Sequence, residues 1–200
     1  MQRLRTLAVA ALLLGSTCSG GEDEADPGAT VPTEVTTSTT VIDVSTIPAV
    51  IDEAYLNRVL EALDAVDGMA TKIIVERKRF PPDAAALLHS IYDDEEFQDQ
   101  VEIWAKTLAS NPELSSFNPN PGNRRTIVQR IISRSSDCVW MAVSRDYSAA
   151  ARDAPAARTE YIALRPTNHA RDPKRLNPTA WIITFDGFNE DGSEPAGQCA

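Results

Sequence analysis

The run NPNPGNRRTIVQRIISRSSDCVWMAVS, residues 118–144, is where the apolar pattern of this 200-residue chain changes period. Its first six residues, Asn118 to Asn123, are turn formers with no periodicity. Beyond them, residues 124–133 and 138–144 read as strands. Val139, Met141 and Val143 alternate there with Trp140, Ala142 and Ser144, the two-residue period of a pleated ribbon. Residues 159–165 and 179–188 continue the pattern, and in the last of these Trp181, Ile183 and Phe185 alternate with Ile182 and Thr184. Several strands are thus apolar on both faces. One face is expected to receive helices, the other to pack on a partner subunit or on the C-terminal tail.

Upstream of the loop the spacing is helical. Ile51, Tyr55, Val59, Leu60, Leu63, Val66, Ala70, Ile73 and Ile74 form one stripe and predict a long first helix to about Arg77. Gly68 offers a place for a bend, and Pro81-Pro82 ends the helix. A second helix is expected over residues 84–92, with Pro82 and Asp83 suited to its first turn. Asp93 followed three residues later by Glu96 is a capping-box arrangement. It opens a third helix on which Phe97, Val101, Trp104, Ala105 and Leu108 recur before Asn111-Pro112. Three helices followed by an antiparallel sheet of about four strands predict an α+β domain over residues 48–200.

The first 47 residues are different in kind. Arg3 and Arg5, the apolar run Leu7 to Leu14 and the small residues Gly15, Ser16 and Thr17 have the order of a signal peptide, residues 1–17. The apolar run is too short to span a bilayer, which needs roughly 20 residues. Residues 18–47 read as a disordered acidic tether rich in Ser, Thr and Pro, with an r.m.s. reach on the order of 30 Å. Glu22, Asp23, Glu24, Asp26, Glu34 and Asp43 charge this stretch without any Lys or Arg from residue 19 onward. The formal net charge of the chain is −10, which argues against a nucleic-acid partner.

Leu14-Gly15-Ser16-Thr17-Cys18 resembles the lipobox of bacterial lipoproteins. The resemblance implies that Cys18 is lipidated, becomes the mature N-terminus and anchors the protein to the outer face of the cytoplasmic membrane; secretion follows if Cys18 is unmodified. With Cys18 so used, Cys138 and Cys199 remain as an even pair in an oxidising compartment, which implies a disulfide. The element order of the domain resembles the NTF2-like (cystatin-like, ketosteroid-isomerase-like) superfamily, and Asp146-Tyr147 and Asn177-Pro178-Thr179-Ala180-Trp181 are similar to stretches in its small actinobacterial lipoproteins. What the resemblance implies is a curved sheet wrapping the first helix around a conical pocket. In the isomerase members, pocket Asp and Tyr residues act.

Motifs for chemistry are sparse. His89 and His169 are the only histidines and have no ligand pattern around them, so no metal site is expected. No nucleophile elbow and no phosphate-cradling glycine loop is present, and Pro121-Gly122-Asn123-Arg124-Arg125 reads as a solvated turn. If a pocket exists, Asp137, Asp146, Tyr147 and Tyr161 are the acid-base candidates in or beside the strands. Trp104, Trp140, Tyr161 and Trp181 are the ligand-pocket candidates, with core packing as the alternative for the tryptophans. The leading reading is a surface-tethered, non-catalytic domain without cofactor that binds a small apolar ligand or another envelope protein, with a homodimer through the sheet as a further arrangement. An extracytoplasmic enzyme of the isomerase or dehydratase kind and a structural accessory subunit of an envelope complex are the two alternatives.

Overall fold

The computed structural model describes residues 42–154, 156–168, 170, 172–189 and 193–199. The signal peptide, Cys18, most of the tether and His169 lie outside the described residues.

Helix α1 spans Glu53–Arg77, and Asp52 caps it by accepting the Tyr55 N–H at 2.8 Å. Its apolar stripe is the core: Leu56, Val59, Leu60, Leu63, Ala70 and Ile74 are all sealed from solvent. Each of these leucine, valine and isoleucine side chains contributes about 1.5–3 kcal/mol of burial. Gly68 has a more specific role than a bend, because a Cβ there would stand 2.1 Å from Asn123 Oδ1. The missing side chain lets the loop before the sheet lie against the helix.

Helix α2 spans Pro82–Ile91 and α3 spans Asp94–Ser110. Asp93 caps α3 as expected, accepting the Glu96 N–H at 2.9 Å. The return half of the capping box is diverted, however. The Asp93 N–H donates to the Ile183 carbonyl, and the Glu96 carboxyl reaches the sheet instead.

The sheet is a four-stranded antiparallel meander, β1 (Arg125–Arg134), β2 (Val139–Asp146), β3 (Arg158–Pro166) and β4 (Trp181–Gly187), in the order β1-β2-β3-β4. The chain is therefore an α+β protein with three helices on one face of the sheet. Val128, Val139, Met141, Val143, Ile162, Leu164, Trp181 and Ile183 meet the helices in the main core. On the opposite face Trp140, Ala142, Tyr161 and Ala163 form a second cluster, with Ile132, Phe185 and Cys199 packed against it. Of the two expected covers for this face, the chain's own tail contributes one: Cys199 is bonded to Cys138 across 61 residues, with Cα atoms 5.6 Å apart.

Two departures from the expected pattern matter. The alternation in β4 does not run through: the register shifts between Ala163 and Leu164, where Leu164 faces Ile183 and Ala163 faces Phe185, so Thr184 is an inserted residue. Phe185 therefore leaves the face of Trp181 and Ile183 and joins the outer cluster, and Asp186 turns toward the helices. At the other end, residues 43–47, expected to belong to the tether, are bound to the domain: the Val44 carbonyl accepts the Ala180 N–H and the Thr46 carbonyl accepts the Tyr55 hydroxyl. The chain joins the domain before Pro48.

Candidate functional site: a cavity with a charged floor

Between α1, α3, the loop of residues 116–124 and the far ends of β2, β3 and β4 lies a cavity of about 510 Å³. Its walls are largely apolar. Trp104 and Phe117 line it as a stacked pair, with ring centroids 5.4 Å apart and planes inclined by 24°, and Ile103, Ala150, Ala151, Ala154 and Phe188 complete the apolar lining. Ile103 and Phe188 are exposed, and Arg158 sits over the Phe188 ring at 4.3 Å.

The floor is built by strand parity. Arg145 and Glu160 continue the core-facing series of Val143 and Ile162, and the β4 bulge adds Asp186. Arg145 Nη1 donates to Glu160 Oε2 at 2.7 Å and to Asp186 Oδ1 at 2.5 Å, and its Nε donates to Thr126 Oγ1 at 3.3 Å. Arg158 Nε supplies Glu160 Oε1 at 2.7 Å. Tyr147 stands 3.4 Å from both Arg145 Nη1 and Glu160 Oε2. Beside this group, Arg124 Nε donates to Asp64 Oδ1 at 2.8 Å and its Nη2 to the Tyr92 hydroxyl at 3.0 Å. The Tyr92 hydroxyl donates to Asp67 Oδ1 at 3.3 Å, and Arg124 Nη1 is 3.5 Å from the same oxygen. The side chains of Arg124, Arg145, Asp64, Glu160 and Asp186 are between 2% and 8% exposed, and that of Asp67 is 14% exposed.

Burial governs the ionisation here. It pushes the Asp67 carboxyl up, overcoming the pull of Arg124, and Asp64 adds to the rise. It also pushes the Tyr92 hydroxyl well up, so that this group keeps its proton. Burial acts against the charge on Arg145, but Asp186 and Glu160 overcome it and hold the guanidinium ionised. Asp186, although buried, is drawn below the usual carboxylate range by Arg145 and Arg124. Behind it, burial and the Asp186 charge raise Glu96 to about 7.

Among the described residues two buried side-chain nitrogens have no hydrogen-bond partner, Trp140 Nε1 and Arg145 Nη2, and Arg145 lines the cavity.

Of the residues singled out from sequence, Trp104 and Tyr147 belong to the cavity. Trp140 and Tyr161 stack on each other across the outer face, centroids 5.7 Å apart, away from it. Trp181 is core, its Nε1 donating to the Tyr55 hydroxyl at 2.8 Å. Asp146 accepts the Ser148 N–H at 2.8 Å as a turn residue, and Asp137 is exposed in the β1–β2 turn. Asn177 is scaffold: its amide donates to the carbonyls of Ser90 and Trp181. His89 contacts Asp94 and the Phe97 ring, and among the described residues no group of acidic, His or Cys side chains could hold a metal ion. The residues missed were Asp67, Tyr92, Arg124, Arg145, Glu160 and Asp186. Parity with Val143 and Ile162 pointed to Arg145 and Glu160. Asp67 lies one helical turn after Leu63, on the buried side of the stripe.

In comparison with known proteins, no family model matches the chain, no curated protein matches it and no solved structure matches it. Among the described residues no helix is long and apolar enough to cross a membrane.

Proposed function

We propose that this is an extracytoplasmic, surface-tethered binding domain of NTF2-like kind, holding a small molecule with an apolar body and a polar head. The observation that carries this reading is the cavity itself: aromatic and aliphatic walls over a buried charged floor in which the Nη2 amino group of Arg145 is unshared. The charged floor favours a ligand with a polar head over a wholly apolar one. The oxidised Cys138–Cys199 pair supports a location outside the cytoplasm. Organic extraction of the full-length protein purified from its own host is expected to release such a compound in near-stoichiometric yield. The Ala154→Trp variant, which fills the cavity wall, is expected to lose it with unchanged circular dichroism. An equal yield from that variant, or empty protein that fails to bind N-phenyl-1-naphthylamine, sinks the reading.

A second reading, an extracytoplasmic enzyme of the isomerase or dehydratase kind, is favoured by one observation, the desolvated Asp67 beside the Tyr92 hydroxyl. It requires that the extracted compound be converted on incubation with the protein and that Asp67→Asn stop conversion while binding persists.

A further inference from the structure

Resting on the ligand-site reading above, we infer that the cavity selects an uncharged polar head over the matching anion, and admits the anion only together with a proton. The warrant is the charge count of the floor. In the floor three guanidinium groups, Arg124, Arg145 and Arg158, face four carboxyl groups, Asp64, Asp67, Glu160 and Asp186, and Asp153 on the cavity wall adds a further acid. Arg124 and Arg145 are buried, each within 2.8 Å of a carboxylate oxygen, and Arg158 is half-exposed and already shared with Glu160. With every group of the floor ionised, one negative charge is left there without a cation of its own. It falls to Asp67, which has the longest ion-pair distance of the four, 3.5 Å, and the most exposed side chain, and which lines the cavity.

An entering anion would be desolvated beside that surplus, and among the buried nitrogens of the described residues that line the cavity, only Arg145 Nη2, with its two unshared N–H groups, would meet it. An amide or hydroxyl oxygen accepts from the same nitrogen without adding charge. For the anion to bind, one carboxylate must become neutral, and Asp67 is the group placed to do so. Facing it are Asp64 from α1, Tyr92 from the end of α2, Arg124 from the loop before β1, Arg145 from β2 and Asp186 from β4, with Glu96 of α3 behind Asp186. The two cations favour its ionised form, and burial together with the two acids outweighs them.

The test uses 2-naphthalenesulfonamide and 2-naphthalenesulfonate, which share one ring system and two sulfonyl oxygens and differ in an uncharged NH2 against a charged oxygen, the sulfonate staying ionised at every pH used. Calorimetric titration of the full-length protein at pH 8 is expected to show the sulfonamide binding at least tenfold more tightly. Lowering the pH to 5 should leave the sulfonamide nearly unchanged and tighten the sulfonate tenfold or more. About one proton should be taken up per sulfonate bound, read from enthalpies in buffers of different ionisation heat. Asp67→Asn should bring the sulfonate close to the sulfonamide and flatten its pH profile, whereas Glu96→Gln should leave that profile in place. A sulfonate that binds as tightly as the sulfonamide at pH 8, or whose affinity is flat with pH in the natural chain, overturns the selection. A persistent slope in Asp67→Asn removes Asp67 from the role. If the folded protein binds neither compound, the ligand-site reading falls first and takes this inference with it.

Discussion

Glu96 is held between two demands: its Oε2 accepts the Asp186 N–H at 3.1 Å, while burial and the neighbouring Asp186 carboxylate work against its charge. Its pKa in the folded protein is about 7, against an ordinary value of 4.5. Folding therefore favours the protonated form. The stabilisation is full below about 4.5 and is lost as the pH rises through about 7. Asp67, also raised, acts with the same sign. Glu96→Gln keeps an acceptor for the Asp186 N–H and removes the charge. The variant is expected to match the natural chain near pH 4.5 and to exceed it by about 1–2 kcal/mol at pH 8. Urea denaturation across that range checks this, and an unchanged difference between the two pH values would show that Glu96 ionises without cost.

At the scale of elements, helix side chains serve N–H groups on both open edges of the sheet. On β1 the Thr126 N–H donates to Asp64 at 2.7 Å and the Val128 N–H to Asn57 at 2.9 Å, two strand positions served by helix residues seven apart. On β4 the Asp186 N–H goes to Glu96. Unpaired edge groups invite pairing with another chain, and these three are occupied. Asn57→Ala is expected to cost about 1–2 kcal/mol by leaving a part-buried N–H without its partner. An unaltered urea midpoint would mean that water serves it equally well. The elements themselves were legible in the sequence, because the 3.6-residue stripe of α1 and the alternation of β2 are long and uninterrupted. Of the site, Trp104 and Tyr147 were legible, and strand parity extends the core face to Arg145 and Glu160, one of them just past the expected strand end at residue 144. Asp186 was hidden because a single inserted residue in β4 reverses the side on which it lies. Asp64 and Asp67 were hidden because a carboxyl group in an apolar stripe looks like an interruption until its distant partner, Arg124, 60 residues from Asp64, is in place.

For the molecule as a whole, the covalent link between Cys138 and Cys199 draws the end of the chain against Trp140 on the outer face. Closing a loop of 61 residues lowers the entropy of the unfolded chain and contributes about 4 kcal/mol. Cys138→Ser with Cys199→Ser is expected to lower stability by about 3–4 kcal/mol and to unfold at a lower urea midpoint. The natural chain under reductant should behave like the double variant. Equal midpoints with and without reductant would show that tail packing alone suffices. The Thr184 insertion carries a last consequence. It works like a frameshift in the side-chain register, so tolerance to substitution along β4 should break phase after residue 183: apolar demands at 181 and 183, then at 185 on the other side, with polarity required at 186. A strand of the same length paired straight through would instead turn Phe185 toward the helices and Asp186 to the outer face, so the chemistry of the chamber hangs on the bulge while the layer under it does not.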